Sequence, residues 1–120
     1  MPGDWSPRAG YEQGRRLLEM GHNVTAVFVA NDQMALGLMR ALYEAGVEVP
    51  SDISIVGFDD IPEASYYAPP LTAVRQEFLE VGSRSVALLL RRMRGASDGP
   101  VKHVVEPDLV VRASTAPPKK

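Results

Sequence analysis

The chain reads as an α/β domain built on a parallel sheet. Three observations predict this. Residues 24–30 (VTAVFVA) and 53–58 (ISIVGF) are strand-length apolar runs rich in β-branched side chains. Each stops abruptly at a polar pair, Asn31-Asp32 and Asp59-Asp60. Between them, residues 33–46 read as one helix. A strand–helix–strand unit makes its two strands parallel neighbours with a right-handed crossover. Asn31 and Asp59 then stand at the carboxyl ends of adjacent strands, the edge where open α/β sheets bind ligands. An amide beside a carboxylate suits a ligand with several hydroxyl groups.

At 120 residues the chain is the size of one domain, large enough to bury a core without staples. It is 45% hydrophobic and 23% charged, which is ordinary for a globular protein. There are no cysteines, so disulfides and thiolate metal sites are excluded. A net charge of −2 argues against a nucleic-acid surface within the segment. No apolar run approaches ~20 residues, so no transmembrane helix and no membrane partner is expected. The opening Met1-Pro2-Gly3-Asp4-Trp5 has no signal-peptide character. No strand precedes the first helix, an arrangement expected of a piece of a longer protein.

Ser6 and Pro7 suit the N-cap and first position of a helix running to about Met20, with Gly21 as its terminating residue. Gly10, Gly14, Leu17 and Leu18 share one face, and the glycines would let that face approach a sheet closely. Trp5 lies in the loop before this helix. It is either packed over the helix start or offered as an aromatic plate to a flat ligand face, and its loop position favours the second. On the helix at 33–45, Met34, Leu38, Ala41 and Ala45 form one apolar stripe, with Leu42 at its margin. Leu36, Met39 and Tyr43 form another on nearly the opposite side. The second stripe meets either the helix at 6–20 or another subunit, and the subunit interface is favoured.

Beyond Asp59-Asp60, Pro62, Pro69 and Pro70 leave room for at most one helical turn after Pro62. Tyr66 and Tyr67 in this loop are either packed over the sheet edge or offered to a partner. Residues 71–75 are a short third strand, and Gln76 at its end is a third polar group facing the same crevice. Residues 76–94 form the longest helix, with an apolar arc from Phe78 to Met93 covering more than half its circumference. So wide an arc needs more than one sheet face to cover it. Residues 95–102 are a Gly/Ser/Pro/Asp linker. Residues 104–112 return as a strand that Pro107 confines to an edge or a bend. Residues 113–120 read as a disordered polar tail.

Chemistry for turnover is sparse. No nucleophile elbow, phosphate loop, dinucleotide glycine pattern or metal-ligand spacing occurs, so no catalytic residue, metal or cofactor is assigned. His22 and His103 fall in connections distant from Asn31 and Asp59 and read as solvated. Asp59-Asp60 resembles an acid–base pair only superficially. Consecutive residues leaving a strand diverge, so one faces the crevice and the other caps the Pro62 turn.

Several runs together resemble the LacI/GalR family of sugar-responsive bacterial transcription repressors. They are residues 29–37 (VANDQMALG), 53–62 (ISIVGFDDIP), 69–72 (PPLT) with 74–76 (VRQ), and 109–115 (LVVRAST). They occur in family order across essentially the whole chain, and Gly3-Asp4-Trp5-Ser6 looks like the family's lactose-repressor branch. The resemblance implies a three-layer α/β/α lobe with a mainly parallel sheet, periplasmic binding protein-like and here incomplete. Residues 1–75 would be part of the C-terminal lobe of an effector domain. Residues 76–103 would cross to an N-terminal lobe, and 104–112 would return. By motif match, Asn31 and Asp59 are implied to hydrogen-bond sugar hydroxyls, Trp5 to stack and Gln76 to add a cleft contact. The region of Leu36, Met39, Tyr43 and Tyr67 looks like the family's dimer interface. The implied partners are a small sugar effector, a second copy or a higher oligomer, and operator DNA through a helix-turn-helix headpiece outside this chain. The implied location is the cytoplasm.

Two rival readings stand beside this one. A periplasmic sugar-binding protein of a transporter uses the same binding chemistry. A glycosidase would employ Asp59 with Glu63 or Asp60. The helix at 78–93, deprived of the other lobe, is expected to settle on its own lobe, swap with a neighbouring copy or form an added oligomer contact.

Overall fold

The computed structural model describes residues 3–21, 23–95 and 105–119. His22, His103 and most of the predicted linker lie outside the described residues. The chain order is α1 (Pro7–Glu19), β1 (Ala26–Phe28), α2 (Asp32–Glu44), β2 (Ser54–Asp59), a 3₁₀ turn (Pro62–Tyr66), β3 (Thr72–Arg75), α3 (Phe78–Met93) and β4 (Asp108–Val110). The sheet order is β1-β2-β3-β4. The first two pairings are parallel, with Phe28 beside Val56 and Val56 beside Thr72. β4 begins just after Pro107 and runs antiparallel along the β3 edge, where a missing N–H does no harm.

Local chemistry explains the helix limits. The Ser6 hydroxyl accepts from the Ala9 amide at 3.1 Å, and Pro7 opens α1. Gly21 and Gly46 take φ of +65° and +74° beyond α1 and α2, a region that favours glycine.

α2 lies on one face of the sheet, over Val29, Ile55 and Ala73, and α1 packs beside it on the same side, near Val27 and Val29. The α1 glycines bring that helix against α2 rather than against the sheet, correcting the sequence expectation. A Cβ at Gly10 would stand 1.9 Å from the Met34 carbonyl oxygen, and one at Gly37 1.7 Å from that of Pro7. So close a crossing assigns the Met34–Leu38–Ala41 stripe to α1. Ala35, Met39 and Leu42 face the sheet instead, in a core with Ile55, Leu71 and Ala73. Met39 is therefore a core residue and not part of an exposed stripe. Tyr67 is also buried, with its hydroxyl donating to the Asp32 carbonyl at 2.9 Å. Of the four predicted interface residues, Leu36 and Tyr43 remain exposed. Tyr66 is exposed beside its buried neighbour, so the tyrosine pair divides between the two roles expected of it.

The opposite sheet face is open. Phe28 and Phe58 meet edge to face at 6.4 Å, yet Phe28 and Leu109 stay exposed. The lobe thus presents two of the three layers of its fold among the described residues. α3 extends away from it. None of its residues is buried, and Leu79 is 85% exposed. The molecule spans 60 × 25 × 24 Å, and its 18.3 Å radius of gyration exceeds the ~14 Å of a compact chain this long. The helix has not settled on its own lobe.

The tail overturns a second expectation. Ser114 is fully buried. Its hydroxyl donates to the Ile55 carbonyl at 2.6 Å and accepts from the Thr72 amide at 2.8 Å, while its carbonyl accepts from the Ile55 amide. The Ala116 amide reaches the Ser54 hydroxyl, and Lys119 pairs with Asp52 at 2.8 Å. Residues 113–119 are bound along the sheet because β2 and β3 leave backbone groups there that need partners.

Candidate functional site

The parallel registers align the predicted site. β1 and β2 pair Phe28 with Val56, so Asn31 and Asp59, each three residues further on, arrive at the same edge. β2 and β3 pair Asp59 with Arg75, which brings Gln76 beside them. Trp5 reaches this edge from the loop before α1. The Asp4 carboxylate accepts from the amide and hydroxyl of Ser6, closing a turn in which Trp5 adopts a φ of 71° and lies 62% exposed.

Asn31 already carries structural duties. Its Oδ1 accepts from the Met34 amide at 2.8 Å as the N-cap of α2, and its Nδ2 donates to the Trp5 carbonyl at 3.0 Å. The cap and the loop fix the amide's orientation and leave one N–H and part of the oxygen's acceptor capacity for a ligand. Asp59 is half-buried, and burial pushes its carboxyl above the usual range. Gln76 Nε2 lies 3.5 Å from Asp59 Oδ1, a long contact. Asp59 therefore retains acceptor capacity for hydroxyl donors. The four residues are brought together as two linked pairs, Trp5–Asn31 and Asp59–Gln76.

The second carboxylate behaves differently from the sequence expectation. Asp60 does not cap the Pro62 turn. Its side chain is only 4% exposed and binds Arg75 Nε at 2.8 Å and Arg112 Nη1 at 2.7 Å. Burial works to raise this carboxyl, but the two guanidiniums outweigh it and hold it below its ordinary value. Arg112 also donates to the Leu71 carbonyl, tying the tail to the start of β3. The turn is held instead by Asp32, whose Oδ2 accepts from the Ile61 amide at 2.8 Å. Sequence reasoning missed Asp32 and Arg112.

The lobe is therefore an open, mainly parallel α/β sheet with an aromatic, an amide and a carboxylate at the carboxyl edge of its parallel strands. The profile of the periplasmic binding protein-like domain family matches residues 2–115. The chain belongs to that family, among the effector domains of LacI/GalR-type regulators. It is 50% identical over 93 residues to the lactose operon repressor of Escherichia coli K12, covering 78% of this chain and 26% of the repressor. It is 41% identical over 117 residues to the transcriptional repressor PurR of Haemophilus influenzae PittEE, covering 95% and 35%. Among solved structures, a dimeric Lac repressor superposes with a TM-score of 0.90 at 45% identity, over 98% of this chain and 43% of that one. A LacI family regulator from Enterococcus faecalis V583 with bound ribose gives 0.91 at 34% identity, over 99% and 44%. The chain spans about a quarter to a third of the length of these two curated relatives.

Proposed function

We propose that this chain is the C-terminal lobe of the effector domain of a sugar-responsive bacterial transcriptional regulator. The observation that carries the reading is the aligned edge of Trp5, Asn31, Asp59 and Gln76 in a lobe that superposes on Lac repressor at a TM-score of 0.90. Asp59 accepts from sugar hydroxyls, the free N–H of Asn31 donates, the Trp5 ring covers the apolar sugar face and Gln76 adds a polar contact. The other wall of the cleft comes from an N-terminal lobe, against which α3 packs its apolar arc. The reading is of a regulator and not an enzyme, and what supports it is that the curated relatives are transcriptional repressors. Its regulation is a population shift: the effector favours the closed lobes, and closure changes operator affinity through a helix-turn-helix headpiece. Leu36 and Tyr43 are the exposed apolar positions that bind a second copy, and a regulator of this kind works in the cytoplasm.

The relatives favour a regulator over a transport protein, since both curated ones are repressors. They also leave the ligand's ring chemistry open, and a purine base would stack on Trp5 equally well. The test is a thermal-shift screen of the complete two-lobed protein against ribose, lactose, cellobiose and hypoxanthine. The expected result is stabilisation by a sugar that disappears in Asn31→Ala and Asp59→Ala. A shift that survives both substitutions overturns the site, and a shift with hypoxanthine alone replaces the sugar by a purine.

A further inference from the structure

We infer that Asp32 is a positioning residue for effector binding: its buried carboxylate anchors the backbone after Asp59 and so aims the Asp59 side chain into the cleft. The inference rests on the reading of Asp59 as a ligand contact. Asp59 and Asp60 take φ of 108° and 59°, two consecutive left-handed residues that are not glycine. Such residues are strained and persist only where their surroundings hold them. Two devices hold this corner. Asp60 is gripped by Arg75 and Arg112, and the next amide, Ile61 N–H, donates to Asp32 Oδ2 at 2.8 Å.

Asp32 is itself immobilised. It is fully buried in the first turn of α2, and the buried Tyr67 hydroxyl donates to its carbonyl. Its Oδ1 lies where a side chain on β2 would collide, since a Cβ at Gly57 would stand 2.3 Å away. Gly57 thus leaves the space the carboxylate occupies. Burial, followed by the charges of Asp59 and Asp60, pushes the Asp32 carboxyl upward against the pull of the Ile61 and Asp60 amides. A carboxylate held in so unfavourable a place, beside two others, is poorly explained by stability alone. Its bond to Ile61 joins the Asn31 end of β1 to the Asp59 end of β2. One buried group therefore sets the relation between the two polar residues of the site.

A double-mutant cycle tests this in the complete two-lobed protein. Binding is measured by isothermal titration with ribose, cellobiose or lactose, whichever the thermal-shift screen selects. Asp32→Ala, which leaves the Ile61 amide without its acceptor, is expected to weaken affinity about tenfold, because the corner that aims Asp59 is released. In an Asp59→Asn background the same change is expected to cost less than about twofold, because Asp32 acts through Asp59. Equal losses in both backgrounds, or a lower melting temperature with unchanged affinity, overturn the inference alone. Wild-type affinity in Asp59→Asn overturns the site reading and this inference with it. If Asp32→Ala does not fold, Tyr67→Phe, which frees the Asp32 carbonyl, replaces it. A loss of about threefold confined to the Asp59 background supports the inference, and no loss or an equal loss in both backgrounds overturns it.

Discussion

α2 and α3 are both amphipathic helices, of 13 and 16 residues, yet one is buried on two sides and the other on none. α2 is crossed by α1 through backbone contact at Gly10 and Gly37 and lies on the sheet through Ala35, Met39 and Leu42. α3 carries a wider apolar arc, supported locally by the Glu80–Arg84 pair at 2.7 Å. The difference teaches that apolar periodicity states how much surface a helix must bury and not where the partner is. α2 finds its partners in the same lobe. α3 leaves its apolar face exposed.

Four substitutions probe this contrast, in descending size. Gly37→Ala drives a Cβ into the Pro7 carbonyl and is expected to destabilise the lobe by about 3 kcal/mol, read as a lower urea midpoint. Arg112→Ala leaves the buried Asp60 with Arg75 as its remaining partner, a loss of roughly 2–3 kcal/mol at neutral pH. The depressed Asp60 carboxyl signs the pH dependence: its contribution is fully present above about pH 4 and is lost as pH falls through the folded value. Urea midpoints at pH 7 and pH 3 are therefore expected to differ less in Arg112→Ala than in the parent. Ser114→Ala strands the Thr72 amide and the Ile55 carbonyl, for about 2 kcal/mol; an unchanged midpoint would contradict the bound tail. Gly82→Ala, on α3, meets nothing within 4 Å and is expected to raise helicity by circular dichroism, worth at most about 1 kcal/mol. Gly37→Ala and Gly82→Ala thus have opposite signs for the same chemical change, which separates a packed helix from an unpacked one.

Much of the architecture was legible because it rests on local rules. The Ser6 cap, the Gly21 stop and the β1–α2–β2 crossover each follow from residues close in sequence. The shared edge of Asn31 and Asp59 follows from that crossover. The roles of Asp32, Asp60, Met39 and Tyr67 were not legible in the same way. Asp60 turned from an expected cap into an anchor for Arg112, 52 residues away, and Ser114 reached Ile55 across 59. No local pattern marks a tail serine as a core hydrogen-bond bridge.

The sequence by itself determined the α/β class, the elements and their order, and the polar pair at the edge of the sheet. Period, caps and turn residues encode those through interactions a few residues long. Only the tertiary structure decided which carboxylate stays open to a ligand, which is neutralised by arginine and which is buried to hold the corner. That sorting depends on which donors arrive from β3, the 3₁₀ turn and the tail. A carboxylate's role is set by the charges and amides around it rather than by its own identity.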